Sequence, residues 1–99
     1  MNLINVNFAD NEITDYISSI EDNTDHKLGI SRMKVTFKNG YGISIIRGSF
    51  TYGGKEGLFE TAIINKDGNI IHDTVQGYLT EEEVFENCLQ TAKMEYMHS

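Results

Sequence analysis

Residues 39–64, NGYGISIIRGSFTYGGKEGLFETAII, form a glycine-punctuated run of β-type sequence between two acidic, helix-forming flanks. Asn39-Gly40 is a strong hairpin signal, because a two-residue type I′ turn needs positive φ at both central positions and these residues supply it at least cost. Before the turn, Met33, Val35 and Phe37 alternate with Lys34, Thr36 and Lys38, the period-two pattern of a half-buried strand. A two-residue turn sets Lys38 opposite Tyr41, and therefore Phe37 opposite Gly42, Val35 opposite Ser44 and Met33 opposite Ile46. One face then carries Met33, Val35, Phe37 and Ile46. The other carries Ile43 and Ile45, which makes the second strand apolar on both sides and central.

A second glycine cluster follows at Gly48, Gly53, Gly54 and Gly57, with Phe50, Thr51, Tyr52, Lys55 and Glu56 between them. Glycine at this density marks a loop between antiparallel strands. A phosphate-cradling reading fails on spacing: Lys55 is followed by Glu56 rather than Ser or Thr, and strand sequence rather than helix comes next. Gly57 to Ile64 reads as a third strand, residues 65–68 (NKDG) as a turn, and Asn69 to Asp73 as a short fourth strand.

Outward from this meander, LINVNF at residues 3–8 is an edge strand or an anchored N-terminus. Asp10 or Asn11 caps a helix whose stripe is Ile13, Tyr16, Ile17 and Ile20, ending by Asp22 or Asn23. Residues 21–27 are a polar loop. At the other end, Thr80-Glu81-Glu82-Glu83 is a capping box that opens a helix with the apolar stripe Val84, Phe85, Cys88, Leu89, Ala92 and Tyr96. The expected fold is α+β: a three- or four-stranded antiparallel meander, the C-terminal helix on its Met33, Val35 and Phe37 face, and a short N-terminal helix.

The 99 residues suit one domain. Within it, 1–31 is an acidic N-terminal helical segment, 32–76 the sheet and 77–99 the C-terminal helix. No run approaches the roughly 20 apolar residues of a membrane span, and the N-terminus lacks the basic start and apolar core of a signal peptide. With a lone Cys88, these features lead us to expect a cytoplasmic protein. The net charge of −7 divides into −5, +2 and −4 over the three segments, so acidity sits on the flanks and the sheet is mildly basic. Direct nucleic-acid binding wants clustered Lys and Arg, and these flanks repel phosphate.

Catalytic and metal chemistry find little support. His26, His72 and His98 show no metal-ligand spacing. Cys88 on an apolar helical stripe reads as a buried, inert thiol. Glu81-Glu82-Glu83 and the Asp22, Asp25 pair read as capping and solvating groups. No enzyme activity and no cofactor are expected.

The run NGYG-x-S-x-x-RG-x-x-x-YGG-x-x-GL-x-E over residues 39–60 resembles a set of small bacteriophage and prophage proteins, as do DG-N-x-x-x-DT and GYLTEEEV further on. The resemblance covers roughly residues 33–90. Such a resemblance implies genomic company rather than an activity; by analogy with small acidic phage proteins that bind and block host machinery, as anti-CRISPR proteins do, the chain is expected to inhibit a host nucleic-acid-handling or defence protein with partial nucleic-acid mimicry. Its partner is a basic protein surface, and the residues expected to meet it are Phe50, Tyr52, Lys55, Glu56, Glu81, Glu82 and Glu86. The other open reading is a small-ligand-binding or self-associating module built on the loop at residues 48–57.

Overall fold

A computed structural model describes residues 12–48 and 56–94. Five strands run antiparallel in sequence order: β1 (Ile17–Asp22), β2 (Ser31–Phe37), β3 (Gly42–Arg47), β4 (Phe59–Ile64) and β5 (Gln76–Leu79). Helix α1 (Glu81–Ala92) packs across one face of this meander. The α+β class and the placement of the C-terminal helix agree with the sequence reading, with β1 and β5 enlarging the sheet.

The central hairpin departs from expectation by one residue. Its turn holds three residues, Lys38, Asn39 and Gly40: the Phe37 amide donates to the Tyr41 carbonyl at 2.8 Å, and the Gly40 amide donates to the Phe37 carbonyl at 3.0 Å. Gly40 has a φ of +92° while Asn39 keeps a negative φ, the arrangement of a three-residue loop closed by a glycine bulge. Val35 therefore faces Ile43, and Met33 faces Ile45. A one-residue slip carries a whole strand to the opposite face, so Ile43 and Ile45 join Met33, Val35 and Phe37 in the core while Ile46 lies half-buried on the other side. Burying five large side chains on one face outweighs the local preference of Asn-Gly for a tighter turn.

The same turn ties the hairpin to α1. The Asn39 Nδ2 donates to the carbonyls of Thr91 at 2.9 Å, Ala92 at 3.1 Å and Met94 at 3.1 Å, and its Oδ1 accepts from the Tyr41 amide at 3.0 Å. Val84, Cys88, Thr91 and Ala92 are the buried side of α1, with Phe85 and Leu89 half-buried against the core. Further along, the Asn87 Nδ2 donates to Thr61 Oγ1 and Gln76 Oε1, each at 3.2 Å. A valine at Gly40 meets two obstacles: the left-handed φ, and the Lys66 side chain with Cγ 3.2 Å from the new Cβ. We expect Gly40→Val to lose about 1–3 kcal/mol in urea denaturation. A variant as stable as the parent refutes the turn geometry.

The N-terminal helix expected through Asp22 is absent as such. Glu12–Tyr16 form a single 3₁₀ turn, and Ile17–Asp22 are strand β1 against β2. Ile-Ser-Ser-Ile is a weak helix former, whereas β2 offers a row of backbone partners. Of the proposed helical stripe, Ile13 is fully buried in the core, but Ile20 is 46% exposed. The stretch Asn69 to Asp73 is likewise not a strand. It holds one bridge, Ile64 to Ile70, and begins a 3₁₀ turn at His72–Thr74. There Thr74 Oγ1 accepts from the Ile63 amide at 2.8 Å and donates to the Ile71 carbonyl at 2.6 Å, a side chain standing in for a strand partner. The strand beside β4 is β5, whose residues Gln76-Gly77-Tyr78-Leu79 show no apolar alternation. The turn at residues 65–68 forms as expected, with Gly68 at a φ of +87°. The readings for residues 3–8 and for Tyr96 lie outside the described residues.

Candidate protein-binding surface

A single residue, Thr80, joins β5 to α1. Leu79 is buried opposite Phe59 and anchors the end of the sheet. Thr80 then caps the helix: its Oγ1 accepts from the Glu83 amide at 3.3 Å, and Glu83 Oε1 accepts from the Thr80 amide at 3.0 Å. The reciprocal pair satisfies two amides that a helix start leaves without partners. It also commits Glu83 to the fold. Glu81, Glu82 and Glu86 remain exposed, and Glu81 and Glu82 line an open cleft of about 550 Å³ with Thr80 and Phe85. The positive end of the helix dipole stabilises the first two where they stand.

Tyr78 is the residue that the sequence pattern missed. It is 60% exposed and has a φ of +57°, the one positive φ among the described non-glycine residues. The cause lies in the register between β4 and β5. Phe59 pairs with Leu79 and Thr61 with Gln76, so two residues of β5, Gly77 and Tyr78, oppose Glu60 alone. In such bulges the left-handed position is normally a glycine, but here Gly77 occupies the other place. A left-handed non-glycine residue costs roughly 1–2 kcal/mol. Ile70 and Val75, also exposed, lie on the segment that follows the same edge of β4. The dipeptide Gly77-Tyr78 is a visible bulge signal, but the amino-acid type does not reveal which of the two takes the strained angle.

Of the residues expected to meet a partner, Glu81, Glu82 and Glu86 share one helix and are all exposed. Glu56 is exposed just ahead of Gly57, and because Phe59 pairs with Leu79 it lies at the end of the sheet where α1 begins. Phe50, Tyr52 and Lys55 lie outside the described residues. Asp22 and Asp25 have structural roles instead. Asp22 accepts from the Thr24 hydroxyl at 2.6 Å and from the Thr24 amide at 3.0 Å, bonds that hold its carboxyl below the ordinary range. Asp25 accepts from the amides of Lys27 and Leu28.

Cys88 is fully buried, and desolvation pushes its thiol up to about 12, so the nucleophilic thiolate is suppressed at neutral pH. His26 and His72 are exposed, and His98 is outside the described residues. Among the described residues no three His, Cys, Asp or Glu side chains gather as metal ligands. No helix there is long and apolar enough to cross a membrane. The chain matches no family model, no curated protein and no solved structure, so its functional reading rests on its own residues.

Proposed function

We propose that this chain is a non-catalytic binding protein that engages a basic protein surface through the end of the molecule carrying Tyr78, Glu81, Glu82 and Glu86. Its target class is a host nucleic-acid-handling or defence protein, which the phage-like motifs suggest and which the acidic flanks complement. The observation that carries the reading is Tyr78: an exposed aromatic held in a costly backbone conformation just ahead in the chain of the helix that carries the exposed Glu81, Glu82 and Glu86. Strain of this kind persists where it serves a site. A rigid aromatic anchor offers large contact area at small entropic cost, and the glutamates attract a basic partner and set its orientation. In partial mimicry of nucleic acid, the carboxylates of Glu81, Glu82 and Glu86 take the place of phosphates in the partner's groove.

The test separates binding from folding by the sign of each effect. Tyr78→Gly removes the anchor and relieves the strained φ, so its stability should equal the parent's or exceed it by up to about 1 kcal/mol. Its affinity for a partner captured from host lysate, measured by calorimetry, should fall by about tenfold or more. Changing Glu81, Glu82 and Glu86 together to Gln leaves the capping Glu83 in place. That variant should associate more slowly and lose much of the salt dependence of binding. Two folded variants that bind as tightly as the parent would refute the proposal.

A further inference from the structure

We infer that the sheet face turned away from α1 carries a small oxyanion site, one that takes a phosphate group. Side-chain rows on that face run Thr36, Gly42, Ile64 and, beside them, Lys34, Ser44, Ala62. Gly42 stands in the middle of the first row, and Ile64 packs against it, its Cβ 3.5 Å from where a Gly42 Cβ would lie. Beside it lies a groove of about 130 Å³ lined by Lys34, Thr36, Gly40, Gly42, Ile64, Asn65, Lys66 and Gly68, ample for one tetrahedral oxyanion. No carboxylate lines it among the described residues.

The polar groups around the groove are donors. Lys34 forms no ion pair and the Thr36 hydroxyl no hydrogen bond with other groups among the described residues, although both are half-buried. Glu21, the cross-strand neighbour of Lys34, lies on the β1 side and outside the lining. Asn65 Oδ1 already accepts from the amides of Asp67 at 3.0 Å and Asn69 at 2.9 Å, which fixes the flip of the amide and leaves its Nδ2 as the group to be used. Lys66 lies over the Tyr41 ring, its Nζ 5.3 Å from the centroid, at the rim of the groove. The Lys34 ammonium, the Thr36 hydroxyl and the Asn65 amide NH₂ around this groove suit a compact oxyanion, with Lys66 at its rim. They also form a positive spot on a chain whose net charge is −7, which argues against general attraction of anions as the source of binding.

The experiment is a two-dimensional ¹H–¹⁵N NMR titration of the full chain with inorganic phosphate and, separately, with ribose 5-phosphate, against sodium chloride at matched ionic strength. Saturable shifts confined to Lys34, Thr36, Gly40, Gly42, the Asn65 side-chain amide and Gly68 are the expected result. Tighter binding of ribose 5-phosphate assigns the site to a phosphomonoester, and tighter binding of inorganic phosphate assigns it to the free anion. Lys34→Gln should weaken the preferred anion by about tenfold and Thr36→Val severalfold, and the same spectra show whether each variant is folded. Shifts that chloride reproduces, that fail to saturate, that spread to Lys27, Lys38 and Lys93, or that keep the parent's affinity in folded Lys34→Gln overturn the inference. The groove lies on the face opposite α1, so loss of anion binding and loss of protein binding are read by different variants.

Discussion

Asn39→Asp should cost about 2–4 kcal/mol of folding stability at neutral pH, more than Asn39→Ala. Helix α1 ends without the usual devices: its C-cap, Lys93, is not left-handed, and no basic residue lies in its last turn. Backbone amides serve the carbonyls of Leu89 and Thr91, and the Asn39 Nδ2 donates to those of Thr91, Ala92 and Met94. Aspartate keeps the shape and replaces the donor by an anion facing those carbonyls and the negative end of the helix dipole. The introduced carboxyl should titrate above its ordinary range in the folded state, because its surroundings disfavour the charge. The folded protein then binds the proton more tightly than the unfolded one. The penalty should be small below the unfolded carboxyl value and grow as pH rises from there to the raised folded value. Urea denaturation of parent, alanine and aspartate variants across that range checks it. An aspartate variant that matches alanine at every pH refutes the capping geometry.

Ile43→Ala should cost about 2–5 kcal/mol, and Ile46→Ala well under half as much. The contrast reports the hairpin register. With Val35 opposite Ile43, Ile43 lies fully buried beneath α1 while Ile46 is half-buried on the far face. A two-residue turn reverses those places. Against a total stability of about 5–15 kcal/mol for a domain of this kind, the larger loss is easily measured in urea at constant m-value. Ile46→Ala as the costlier change places the strand one residue out of register.

Much of this was legible from local chemistry. The capping box at Thr80 and Glu83 forms because a hydroxyl and a carboxylate three residues apart meet whenever a helix begins there. Val84, Cys88 and Ala92 are buried because their spacing puts them on one side of α1. Met33, Val35 and Phe37 alternate, and the strand they form buries them together. Of the candidate surface, Glu81, Glu82 and Glu86 were nameable from the same helical geometry, since they fall off that stripe. Tyr78 was not, because its strain arises from pairing with β4 across the sheet.

The sequence by itself determined the elements whose partners lie within a few residues: the antiparallel core strands, the turn at Gly68, the start of α1 and the apolar side it presents. Tertiary structure decided everything that depends on a distant surface. Residues 17–22 carry a helical stripe, yet β2 draws them into the sheet, because an open strand edge offers backbone bonds that a short helix of serine and isoleucine cannot match. Asn39-Gly40 favours a two-residue turn, yet the turn takes three, because that register buries Ile43 and Ile45 with Met33, Val35 and Phe37 and leaves Asn39 free to cap α1. Local propensities at such positions differ by a kcal/mol or less, roughly, while core burial is worth about 1.5–3 kcal/mol for each large side chain.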